Sequence, residues 1–191
     1  MNGRKKRSGI TLREEVFMKK LLAVALSLCL LCSFALAEEE IPTLNWADVE
    51  DQTKESGSFQ QIAIPDVATL LYWVPNNMTA FDVNQIQAEN PPVAVFATAD
   101  GSNTLSVFAL NITSLEDYLN GLSANGAANL KNITINGIDC VACENEGQSS
   151  DILIVPVTDT MVLVYNCTPL NGDEDWDATK VVIISSIQVA Q

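Results

Sequence analysis

The chain has 191 residues, 48% of them hydrophobic, a formal net charge of −14 and no histidine. The missing histidine excludes Ser-His-Asp and Cys-His catalysis and every His-ligated zinc, haem or non-haem iron site. From Glu38 onward lie 22 of the 24 acidic residues but only three of the ten basic ones, a net of −19, which argues against nucleic acid, anionic lipid and phosphorylated substrates, since these are held by Lys and Arg.

Residues 18–37 have the three-part layout of a secretory signal peptide: Lys19 and Lys20, an apolar core from Leu21 to Ala35, and a small-x-small cleavage site at Ala35 and Ala37. The apolar core is about 15 residues, shorter than the roughly 18 that span a bilayer as a helix, so cleavage is favoured over an uncleaved anchor. Cys32 follows Leu31, not the small residue a lipoprotein site needs. Residues 1–17 are expected to be a leader wrongly included ahead of a true start at Met18. The codons of Arg13-Glu14-Glu15 could form a purine-rich ribosome-binding run; a genuine basic extension is the alternative. Residues 38–191 then form one domain, long enough to bury a sizeable core.

Within that domain, residues 44–57 predict a short helix, with Asn45 as cap and Gly57 as stop. Residues 58–65 and 69–75 read as strands, each ended by a proline, Pro65 and Pro75. A weak helical turn is expected between Thr79 and Glu89. Residues 93–99 and 104–111 flank Asp100-Gly101-Ser102-Asn103 as a hairpin. Residues 113–126 form the clearest helix, capped by Thr113 or Ser114, with Leu115, Tyr118, Leu119 and Leu122 as its buried stripe. Strands follow at 129–135, 138–144, 152–157 and 161–167, the first two joined by the hairpin turn Asn136-Gly137. The acidic opening of residues 173–188 and the spacing of Trp176, Ile183, Ile184 and Ile187 predict a final helix.

The runs 152–157 and 161–165 are apolar at consecutive positions, so both faces of their sheet must be covered. The fold class expected is α+β: an antiparallel sheet of about six or seven strands with helices on both faces, an α/β/α sandwich. Pro156 has no N–H for a ladder and belongs at a bulge or an edge.

Cys140 and Cys143 have the C-x-x-C spacing of redox and zinc sites. On a strand their Cα atoms lie about 10 Å apart, beyond the roughly 7 Å of a disulfide, and alternation sends their side chains to opposite faces. Zinc needs four ligands, and only Cys167 could join them. The three are read as small buried hydrophobes. Asp173, Asp175 and Asp177 resemble the opening of a calcium loop, but the sixth and twelfth positions are Ala178 and Ile184 where Gly and Glu are required. Acidic residues opening a helix are the ordinary explanation. Trp46, Tyr72, Trp73 and Trp176 could stack on sugars, yet each sits where a core would want it. No catalytic, cofactor-binding or metal-binding residue is therefore assigned, and no cofactor is expected.

Asn45-Trp46, Gly57-Ser58-Phe59, Ile64-Pro65, the helix 114–122, Ile135-Asn136-Gly137 and Ser185 to Gln188 occur in one order along residues 42–190. In this the chain resembles small secreted bacterial proteins with a PsbP-like α/β/α sandwich, in which Cys143 takes a place often held by an aromatic residue. The resemblance implies a non-catalytic binding or assembly module, by analogy of fold. The function expected is a secreted or cell-envelope binding domain for a protein, glycan or cation ligand. The alternative is a small extracellular hydrolase using paired carboxylates.

Overall fold

The structure, a computed structural model, describes residues 41–64 and 67–190. The leader 1–17, the signal peptide 18–37 and the cleavage residues Ala35 and Ala37 lie outside the described residues. In chain order come β1 (Thr43–Leu44), a 3-10 turn Trp46–Asp48, α1 (Glu50–Thr53), β2 (Gly57–Ile64), β3 (Ala68–Pro75) and β4 (Met78–Ala80). A 3-10 turn Val83–Gln85 precedes β5 (Ala94–Thr98), β6 (Thr104–Asn111), α2 (Leu115–Ala124), β7 (Ala127–Ile135) and β8 (Ile138–Asn145). A 3-10 turn Glu146–Gln148 leads to β9 (Ser150–Thr158), β10 (Met161–Thr168), α3 (Glu174–Ser185) and β11 (Gln188–Val189).

These strands form two sheets instead of one. The main sheet has eight strands in the order β1-β7-β8-β9-β10-β6-β5-β4, and β11-β3-β2 form a second of three. All pairs are antiparallel except β1 with β7, where Thr43 and Leu44 run parallel to Thr134 and Ile135. The expected six or seven strands thus become eleven among the described residues. The expected helical layer on each face is also corrected. Among the described residues, one face is covered by the small sheet together with α3, and the other by α2.

Strand alternation builds the two cores. Leu153 and Val155 of β9 and Leu163, Tyr165 and Cys167 of β10 join Leu70, Tyr72, Trp176 and Ile183 in the larger one. Their sequence neighbours Ile152, Ile154, Val162 and Val164 form the smaller one, against which Leu115, Tyr118, Leu119 and Leu122 of α2 pack. Both faces of β9 and β10 are buried, as their unbroken apolar runs require. Each fully buried aliphatic side chain here contributes about 1.5–3 kcal/mol. Trp46, Tyr72, Trp73 and Trp176 are all buried core residues.

Two irregularities place side chains on the correct face. β7 loses register with β8 between Ala128 and Lys131, where Asn129 has φ 56. The added residue shifts the alternation, so Ala127 packs in the smaller core and Ile133 in the larger. Pro156 lies beside the second irregularity: β10 pairs Met161 with Thr158 but Val162 with Pro156. The register of β9 with β8 extends only from Ser150 to Ile154, so Pro156 sits at a bulge with no ladder partner on that side.

Local chemistry sets the ends of the elements. Ser114 accepts from Asp117 N–H at 3.1 Å to cap α2, and Asp173 accepts from Trp176 N–H at 2.9 Å to cap α3. In the β5–β6 hairpin, hydrogen bonds from the Thr98 hydroxyl and from Ser102 hold the Asp100 carboxyl down to about 2. The expected first helix is only the 3-10 turn and the four-residue α1. Asn45 makes no capping bond from its side chain to the backbone there. The stretch expected to hold a weak helical turn does so as the 3-10 turn Val83–Gln85, capped by Asp82, while its first residues belong to β4.

Candidate functional site

Charge buried in the domain converges at one place on the α3 side of β9. Lys180 projects from α3 and is only 6% exposed. Burying an ammonium is costly unless it is fully hydrogen-bonded and paired. Its Nζ contacts a carboxylate oxygen of Asp151 on β9, lies 2.9 Å from Asp177 Oδ1, and donates to the Leu170 carbonyl at 2.7 Å. The Pro169 carbonyl lies further off, at 3.4 Å. Lys180 therefore ties α3, β9 and the loop 169–173 together.

The electrostatics keep this lysine charged. Burial alone pulls the ammonium pKa down, but hydrogen bonds and attraction from Asp151 and Asp177 outweigh it, leaving Lys180 above the ordinary lysine value. Burial pushes the Asp151 carboxyl up, and Lys180 only partly offsets that. A lysine with its three protons directed at three oxygens has no lone pair to attack a carbonyl. The cluster acts as a clamp.

The calcium-like run does not converge on a common point. Asp173 caps α3 through the Trp176 N–H, and Asp177 pairs with Lys180. The Asp175 carbonyl accepts from the Thr179 hydroxyl. Among the described residues no group of three His, Cys, Asp or Glu side chains could hold a metal ion.

The three cysteines are buried free thiols. Cys140 is in the larger core and Cys143 in the smaller, on opposite faces of β8 as alternation requires. Cys167, on β10, is separated from both by β9. Burial pushes the Cys140 and Cys167 thiols up to about 12 and raises that of Cys143. Such thiols are the opposite of the activated thiolates of redox motifs.

Apart from this cluster, one bridging residue is legible in the sequence only as a turn. Asn136, with φ 48, and Gly137, with φ 81, make the β7–β8 turn. The Asn136 side chain also accepts the Trp46 backbone N–H at 2.8 Å and donates to the Ser185 and Ile187 carbonyls at 2.8 Å each.

No protein-family model matches the sequence, and no curated protein matches it. Among solved structures the chain is similar to the cyanobacterial PsbP protein CyanoP of Synechocystis sp. PCC 6803, at 15% identity over 83% of this chain and 99% of that one, with a TM-score of 0.46. It is also similar to a protein of Bacteroides thetaiotaomicron VPI-5482, at 14% identity and a TM-score of 0.40, covering 64% of this chain and 45% of that one. Among the described residues no helix is long and apolar enough to cross a membrane.

Proposed function

We propose that the chain is a secreted or cell-envelope domain of the PsbP-like class that binds a partner and performs no chemistry of its own. The observation that supports this reading is the closure of the Lys180 cluster. The carboxylates of Asp151 and Asp177 are brought together by a lysine whose three protons they share with the Leu170 carbonyl. A hydrolase using paired carboxylates needs one free base and one acid facing an open cleft. In the Asp151–Asp177 pair that place is taken by Lys180, whose Nζ contacts both carboxylates.

The signal-peptide layout of residues 18–37 supports export, and the net of −19 supports a partner that is not itself anionic. The test is turnover by the purified protein on chromogenic glycan, peptide and ester substrates, alongside Asp151→Asn and Asp177→Asn. No turnover above buffer is expected. Hydrolysis abolished in either variant, with an unchanged unfolding midpoint, overturns the binding reading in favour of the hydrolase.

A further inference from the structure

The main sheet ends at β4, and among the described residues no strand pairs with its outer edge. β4 pairs with β5 as Met78 with Thr98, Thr79 with Ala97 and Ala80 with Phe96. Phe81 extends that register, donating to the Val95 carbonyl at 2.9 Å. Backbone groups alternate along an antiparallel strand, so Ala80 turns its N–H and C=O outward. Unpaired edge groups of this kind are a template for another strand.

Two large apolar side chains near this edge, Phe81 and Val93, are uncovered. Met78 is buried toward the larger core, so by alternation Phe81 faces the opposite way, on the α2 side. Phe81 is 58% exposed and Val93 is 42% exposed. Val93 donates to the Val107 carbonyl at 2.7 Å, which fixes it alongside β6. There Phe108, opposite Val164 in the register, packs at the margin of the smaller core. Phe81 and Val93 are thus exposed apolar side chains close to the open edge.

The chain segments that form and flank this edge carry acidic residues and no basic one. Between Lys54 and Lys131 the sequence has no basic residue, while Asp82, Glu89 and Asp100 fall among β4, β5 and the segments joining β4, β5 and β6. Lys131 lies on β7, near the other end of the sheet, and Lys180 is buried in its clamp. Ile41, where the described residues begin, leads into β1 at that other end as well. A second copy of the chain would bring like charge against like charge, which disfavours it.

Resting on the binding reading above, we propose that β4, with the exposed Phe81 and Val93 near it, receives an extended segment of another protein, rich in Arg or Lys alternating with apolar residues. It adds to the sheet as a further strand. Backbone bonds at Ala80 give attachment, Phe81 and Val93 contact alternate side chains, and the acidic surroundings select positive charge.

The experiment uses the purified protein with a capped seven-residue peptide alternating Arg and Val, and a counterpart alternating Glu and Val. Binding is measured by calorimetry and located by amide NMR. The Arg peptide is expected to bind with shifts in β4 and β5, and the Glu peptide is expected not to bind. Ala80→Pro removes the outward N–H without touching the β4–β5 ladder and should weaken binding at least about tenfold. Phe81→Ser with Val93→Ser should weaken it similarly, and this pair keeps the test decisive should the proline variant unfold. Binding undiminished in these variants, or shifts located elsewhere, overturns this site and leaves the binding reading intact. No binding of the Arg peptide overturns the cationic-strand partner, whereas turnover in the hydrolase assays would instead overturn the reading on which it rests.

Discussion

Asn136 holds the backbone of Trp46 at 2.8 Å across 90 positions of sequence, from a turn whose φ of 48 few residues other than glycine and asparagine adopt. The same side chain reaches the Ser185 and Ile187 carbonyls, so the first 3-10 turn, the β7–β8 hairpin and the end of α3 meet at one side-chain amide. Asn136→Gly keeps the turn and loses the three bonds; a cost of about 2–3 kcal/mol is expected, at roughly 1 kcal/mol per bond. Asn136→Ala should cost about 1–2 kcal/mol more, from the positive φ. Urea unfolding measures both, and a glycine variant as stable as the wild type would contradict the role given to this side chain.

Lys180→Met leaves Asp151 half-buried without its cation, and a loss of about 3 kcal/mol is expected at pH 8. Burial already raises the Asp151 carboxyl, and removing the ammonium raises it further. The folded state then binds a proton that the unfolded state has released, so lowering pH restores stability. The variant should lie closer to wild type at pH 5 than at pH 8, and adding Asp151→Asn should recover part of the loss. Denaturation at the two pH values checks the sign.

The buried thiols set an alkaline limit. With Cys140 and Cys167 pushed up to about 12, their favourable contribution is complete below the ordinary thiol pKa of about 8.5. It declines as pH rises toward 12, because the unfolded chain loses those protons first. Burial acts in the same direction on Tyr72 and Tyr165. The urea midpoint should fall between pH 8.5 and 10.5, and less so in Cys140→Ala. At pH 8 the native protein should react negligibly with a thiol reagent until it is unfolded.

Gly57 opens β2 where a Cβ would collide with the Trp73 ring and the Val74 carbonyl. Trp73 also packs against Trp46, with ring centroids 6.4 Å apart, so the ring cannot withdraw freely. Gly57→Ala is expected to cost about 1–3 kcal/mol by overpacking. Retention of the wild-type thermal midpoint would show that the ring can move aside.

Much of this fold was legible in the sequence. The runs at 152–157 and 161–165 required burial on both faces, Ser114 and the acidic residues from Asp173 onward located α2 and α3, and alternation separated Cys140 from Cys143. Strands of two or three residues were not legible: β1, β4 and β11 are too short for any period to register. Nor does a strand's local pattern name its partner, so β2 and β3 gave no sign of leaving the main sheet. Asn136 was explained by its turn alone, which concealed what its side chain does. Lys180 would ordinarily be placed at the surface; its burial depends on Asp151, 29 positions upstream, arriving on the strand beside it.

Native-state hydrogen exchange read amide by amide tests the open strand edge at β4 most directly. The Phe81 amide, bonded to Val95, should be protected, while the neighbouring Ala80 amide should exchange at close to the rate of an unfolded chain. Equal protection of both would contradict the account, because it would mean that the edge offered to a partner is already paired.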